Sequence, residues 1–240
     1  MIDWLRRDPA EEVLQLGGQV LPIAIIRHPT AKRMTLRLAP DGQSVKVTIP
    51  RWGRTAEAID FARSRTDWLG AQLAKRPARK APVPGETITY RGRELAIEWS
   101  PKAPRRPAAD DGQIYLGGPE ERVEARLKSW LREEAMSLFE ADAAEYAMKI
   151  DLPPPPLSLS NARRRWGSCA SDGTMRLNWR LVQAPDHVRR SVVAHETAHR
   201  VHFDHSPAFH ALLGDLFGPE LPAADRWLKA NGPQLFAAFG

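Results

Sequence analysis

The chain has 240 residues, 42% of them hydrophobic and 27% charged, which suits one large or two small soluble globular domains. Its formal net charge of +6 favours acidic partners such as nucleic acid, yet the basic residues are spread in short runs (RSR, KRPARK, PRRP, ARRRWG), so general compositional bias is the better reading. A single cysteine, Cys169, excludes a disulfide framework and fits a reducing cytoplasm; no run of about 18 apolar residues marks a membrane span, and the charged start MIDWLRRDPAEEVLQLG is not a secretory signal.

Residues 19–49 read as strands. QVLPIAIIRHP is a β-branched apolar run, RMTLRLAP and SVKVTIP alternate, and Asp41-Gly42 between them marks a hairpin. Residues 55–75 switch to helical spacing, with Thr55 as a candidate cap and Ile59, Ala62, Thr66, Leu69 and Leu73 along one stripe. The proline-rich, charged KRPARKAPVPG reads as a connector. ETITYRGRELAIEWS reads as a hairpin turning at Arg91-Gly92, PKAPRRPAADDG as a loop and QIYLGG as a short strand. No internal repeat stands out.

Residues 119–150 have the pattern of a long helix, with Val123, Leu127, Trp130, Leu131, Phe139 and Tyr146 on a broad apolar face; the run of prolines in DLPPPPLSLS ends it. Two strands are expected next, LSLSNARRRWGSC and TMRLNWRLV, joined by the turn ASDG. Pro185 and Asp186 suit a helix start, and this helix is expected to run through HVRRSVVAHETAHRVHF. SPAFHALLGDLF and PAADRWLKAN read as two shorter helices. The expected class is α+β: an N-terminal β-rich, mainly antiparallel region with one helix (1–85), a β hairpin and connector (86–118), and a helical region with a small sheet (119–240).

VVAHETAHRVHFDHSPAFH, residues 192–210, holds five of the seven histidines. His195-Glu196-Thr197-Ala198-His199 is an H-E-x-x-H motif. Residues four apart share a helix face, so both imidazoles can reach one ion. Catalytic zinc takes three protein ligands and a water, with nitrogen at about 2.0–2.1 Å. Glu196, one residue round the helix, can stand beside that water as general base. His205 is the first candidate for third ligand, on a chain reversal after the helix; His202 and His210 are the alternatives. Asp204 suits a cap or a partner that orients a ligand. The bland alternative is a helix whose histidines make ordinary hydrogen bonds.

With RWGSC and MRLNWRL close upstream of this segment, the chain resembles the YgjP-like zinc metallopeptidases, relatives of the SprT-like and WLM groups, over roughly residues 19–215. The resemblance implies a gluzincin-like domain: an H-E-x-x-H active-site helix, a small sheet beside it and an N-terminal β extension, with 119–240 as the zinc metallopeptidase core. It implies one zinc per chain held by H-E-x-x-H-x5-H, which falls on His195, His199 and His205. It implies a peptide or protein substrate. The family's usual H-E-L-A-H is H-E-T-A-H here, its usual Asn before the third ligand is Asp204, and its common Trp after Pro-x-Phe is His210.

The function expected is a cytoplasmic zinc-dependent metallopeptidase with Glu196 as base. The alternatives are a binding module for nucleic acid or protein around a structural zinc, and a peptidase acting on DNA-associated proteins, as some of the related groups do; no helix-turn-helix or zinc-finger pair supports either. Arg165, Trp166, Gly167, Ser168 and Cys169 are candidates to line the cleft, with Cys169 a conceivable extra zinc ligand; the plainer reading is a core Trp166 and a turn at Gly167. Asn178, Arg165 and His210 are candidate oxyanion donors, and the strand TMRLNWRL is a candidate edge for strand addition by a peptide. No membrane partner is expected, and no oligomeric state follows.

Overall fold

The computed structural model describes residues 12–16, 18–39, 44–74 and 81–239. The chain forms two compact units, residues 1–77 and 78–239.

In the first unit, β1 (Val13–Leu16), β2 (Gln19–His28), β3 (Thr35–Leu38) and β4 (Val45–Pro50) form a sheet of order β1-β2-β4-β3. The pairs β1/β2 and β3/β4 are antiparallel and β2/β4 is parallel. The alternation that the sequence shows puts Leu21, Ile23, Val45, Val47 and Ile49 on the buried face. Helices α1 (Thr55–Arg63) and α2 (Thr66–Ala74) bury Ala58, Ile59, Ala62 and Leu69 in the same core. The single helix expected over 55–75 is therefore two. Ser64 Oγ donates to Phe61 O at 2.9 Å and Thr66 Oγ1 to Arg63 O at 2.6 Å, so local hydroxyl bonds take over where the ladder breaks. Thr55 is not the cap: Arg54 stands at that position without a side-chain bond, and Thr55 Oγ1 accepts from Arg27 Nη2. The turn at Asp41-Gly42 lies outside the described residues.

The second unit opens with β5 (Thr87–Tyr90), β6 (Arg93–Ser100), β7 (Ala108–Asp110) and β8 (Gln113–Gly117), in the order β5-β6-β8-β7. Its strand directions repeat those of the first sheet: antiparallel, parallel, antiparallel. The turn at Arg91 (φ 50°) and Gly92 (φ 77°) stands where the sequence puts it. It docks on the chain beyond the small sheet, with Arg91 N donating to Val182 O at 2.8 Å.

Helix α3 (Val123–Lys149) follows a short 3-10 turn and lays Leu127, Trp130, Leu131, Ala135, Phe139, Ala143 and Tyr146 into the main core. Next come β9 (Leu157–Ser160), β10 (Gly167–Cys169) and β11 (Met175–Asn178), with β11 in the middle. The strand expected over LSLSNARRRWGSC is thus two strands on opposite sides of β11, separated by the loop 161–166. The strand expected over TMRLNWRLV stops at Asn178, and Trp179–Gln183 wind into a 3-10 segment. Because β11 is paired on both sides, it offers no edge for strand addition. Helices α4 (Asp186–Ala198), α5 (Pro207–Phe217) and α6 (Leu221–Asn231) complete the unit. α4 starts at Asp186 as expected but ends five residues before Phe203. Beyond Ala198 the apolar residues Val201 and Phe203 are exposed, so no burial rewards further helix. Among the described residues no helix is long and apolar enough to cross a membrane.

Candidate metal centre

Burial of Val188, Val192, Val193, Ala194 and Ala198 fixes which face α4 turns to the core. Thr197 belongs to that buried face, and its hydroxyl is accommodated by donating to Val193 O at 2.9 Å on its own helix. His195 and His199 lie together on the adjoining face. The chain then turns back: His202 N bonds Ala198 O at 3.0 Å, Asp204 Oδ1 accepts from Ser206 N at 3.3 Å, and Ser206 Oγ caps α5 by accepting from Phe209 N at 3.4 Å. Asp204 is a turn residue, and the hydrogen bonds to Ser206 hold its carboxyl below the usual carboxylate range.

This reversal brings His205 to His195 on α4 and His199 at its C-cap. His195 Nε2 lies 3.2 Å from His199 Nε2 and 3.3 Å from His205 Nε2. Two nitrogens of a tetrahedral zinc site are about 3.3 Å apart, so the donor set fits such an ion in element and in spacing. All three ligand atoms lie within 4.8 Å of one another, and among the described residues this is the group able to hold a metal. His199 Nδ1 meets His202 O at 3.0 Å; donation from Nδ1–H leaves Nε2 as the free acceptor facing the cluster. Burial and the charges of His199, His205 and His210 push the His195 pKa down to about 4, which keeps the ring neutral. The Phe209 ring packs beneath all three imidazoles, with centroids 5.0, 4.5 and 4.8 Å from His195, His199 and His205.

His202 joins the cluster through its carbonyl and not its ring. His210, on α5, has its ring centroid 6.3 Å from that of His205 and stands outside the triad. Cys169 is half-buried and outside it too. Burial and the charge of Glu196 raise its pKa, so it is a thiol, donating to Ala170 O at 3.5 Å.

Glu196 is 6% exposed and its side chain packs against β10 at Gly167. Burial pushes its pKa up to about 7, opposed by the positive charge of Arg165. Among the described residues, no hydrogen bond holds its carboxylate. The loop beside it is fixed instead: Asn178 Nδ2 donates to Ala162 O at 2.7 Å, Asn178 N to Trp166 O at 2.8 Å, and Asn178 Oδ1 accepts from Arg180 N at 3.1 Å. Asn178 is therefore spent on holding the loop and is no oxyanion donor. Trp166 packs on Phe236, centroids 5.5 Å apart, half-buried at the margin of the core. Sequence reasoning missed Arg180, a fully buried arginine stacked between Trp179 and Phe236 that donates to Asn161 Oδ1 at 2.6 Å and to Phe239 O. Nothing in the local pattern RLNWRLV announces it.

The sequence matches the model of the YgjP-like metallopeptidase domain over residues 32–231, and the chain belongs to this family. Membership implies a bound metal and a peptide or protein substrate. No curated protein and no solved structure matches the chain.

Proposed function

We propose that the protein is a cytoplasmic zinc-dependent metallopeptidase of the H-E-x-x-H type, gluzincin-like in its core, with residues 119–240 carrying the machinery. The observation that supports this most directly is the convergence of three imidazole nitrogens beside a buried, unbonded glutamate. His195, His199 and His205 hold one zinc. Zinc, when bound, supplies a Lewis acid that polarises the scissile carbonyl and brings water toward neutral pKa. Glu196 takes a proton from the attacking water and returns it to the leaving amine. Its burial suits the task, because a carboxylate withdrawn from water is a stronger base than an exposed one. Phe209 keeps one side of the histidine cluster dry and the rings in place. The lone thiol of Cys169 suits a reducing compartment. Elemental analysis of untagged protein, together with cleavage of a mixed peptide library by wild type and Glu196→Gln, tests the reading. About one zinc per chain and cleavage lost in the variant are expected; a variant as active as wild type overturns it.

A further inference from the structure

Gly167 opens β10 and pairs with Leu177 of β11. It is not among the glycines with positive φ, so backbone conformation does not require glycine here. Space does. A methyl carbon on its backbone would lie 2.4 Å from Glu196 Oε1, 2.6 Å from Cγ and 2.7 Å from Cδ. Carbon contacts are comfortable at about 3.5–4.0 Å, so the Glu196 side chain lies flat against bare backbone. With no hydrogen bond fixing the carboxylate, this packing is what sets its position.

The backbone that forms this surface is itself restrained. Trp166 O, one residue before, accepts from Asn178 N at 2.8 Å, and Ala162 is held by Asn178 Nδ2 and by Ser160 Oγ at 2.7 and 3.0 Å. The Trp166 ring is lodged against Gly232, where a methyl group would come within 2.9 Å of Cζ2. Movement of β10 away from Glu196 would have to break these contacts.

We propose that Gly167 is a positioning residue: the bare edge of β10 is the seat of the Glu196 carboxylate, and any side chain at 167 displaces the base. The inference rests on the proposed function for its catalytic consequence, but the seat itself does not. Gly167→Ala is made in the wild-type and in the Glu196→Ala background, and melting temperature and zinc per chain are measured for all four proteins, with kcat and KM on a quenched peptide library for those that cleave it. In the wild-type background, the expected result is a lower melting temperature, retained zinc, unchanged KM and a kcat reduced roughly 100-fold, the scale of a small misplacement of a reacting group. In the Glu196→Ala background, where the colliding side chain is gone, the same substitution leaves the melting temperature unchanged. Equal destabilisation in both backgrounds, or full kcat in Gly167→Ala, overturns the proposal. If Gly167→Ala alone does not fold, a folded double variant supports the seat and an unfolded one overturns it. Failure of the wild type to cleave the library counts against the proposed function, and the melting temperatures still decide the seat.

Discussion

Arg189 Nε lies 2.8 Å from Asp142 Oδ2, with 4% and 5% of the two side chains exposed. The same carboxylate accepts from Arg190 Nη1 at 2.9 Å. One buried anion on α3 therefore anchors two cations of α4, two turns before the histidines. Removing Asp142 leaves Arg189 with Asp186 and Arg190 with Glu145, so the loss is that of buried charge-assisted hydrogen bonds, about 1.5–3 kcal/mol. Asp142→Ala should lose stability on that scale in urea denaturation. Glu145→Ala, which removes an exposed partner of Arg190, should lose less than about 1 kcal/mol. Similar losses for both would show that the burial of Asp142 carries no special weight.

The three proposed ligands and the two histidines beside them should separate cleanly by substitution. His205→Ala is expected to lose most of its zinc at equal total metal, because two imidazoles remain. His202→Ala should keep it, since His202 contributes only its carbonyl, and His210→Ala should keep it because its ring stands apart. Zinc per chain by elemental analysis reads all three. Retention by His205→Ala would move the third ligand elsewhere.

Glu196→Gln preserves the shape of the side chain and removes its basicity. The expected outcome is unchanged zinc content with kcat lower by about 100- to 10,000-fold, the usual worth of a positioned acid–base group. Loss of zinc alongside activity would assign Glu196 to the integrity of the site and not to proton transfer.

Asp186 opens α4 between Arg91 and Arg189. Burial acts to raise its pKa, but the hydrogen bonds from Arg91 and the charge of Arg189 outweigh it, and the carboxyl titrates below its usual 3.8. A depressed folded-state pKa gives stability that is complete above the unfolded-state value and is lost as pH falls through the folded one. The gap in melting temperature between wild type and Asp186→Asn should therefore be widest near neutrality and close below about pH 4. A gap that persists undiminished to about pH 2 would contradict this.

What could be read in advance was local. The turn at Arg91-Gly92, the extent of α3 and the start of α4 all rest on residues adjacent in the chain, and so did the pairing of His195 with His199. The placement of His205 needs only one chain reversal after the helix, a short-range event in the chain. The split of LSLSNARRRWGSC was not legible, because the parallel pairing of β9 with β11 depends on a partner many residues away. The early end of α4 was hidden for a similar reason: Val201 and Phe203 continue the helical apolar spacing, and only the fold leaves them without a surface to cover. Gly167 looked like a turn residue, yet its meaning lies in Glu196, which approaches from a different element.

The short passage from His195 to His205 has one further property, best put in the language of chain topology. Its ends meet within 3.3 Å, above the Phe209 ring and beside the turn capped by Ser206. Closing so small a loop ordinarily costs the entropy of gathering its ends. Here the cap bond of Ser206 and the burial of the Phe209 ring offset part of that cost from within the chain.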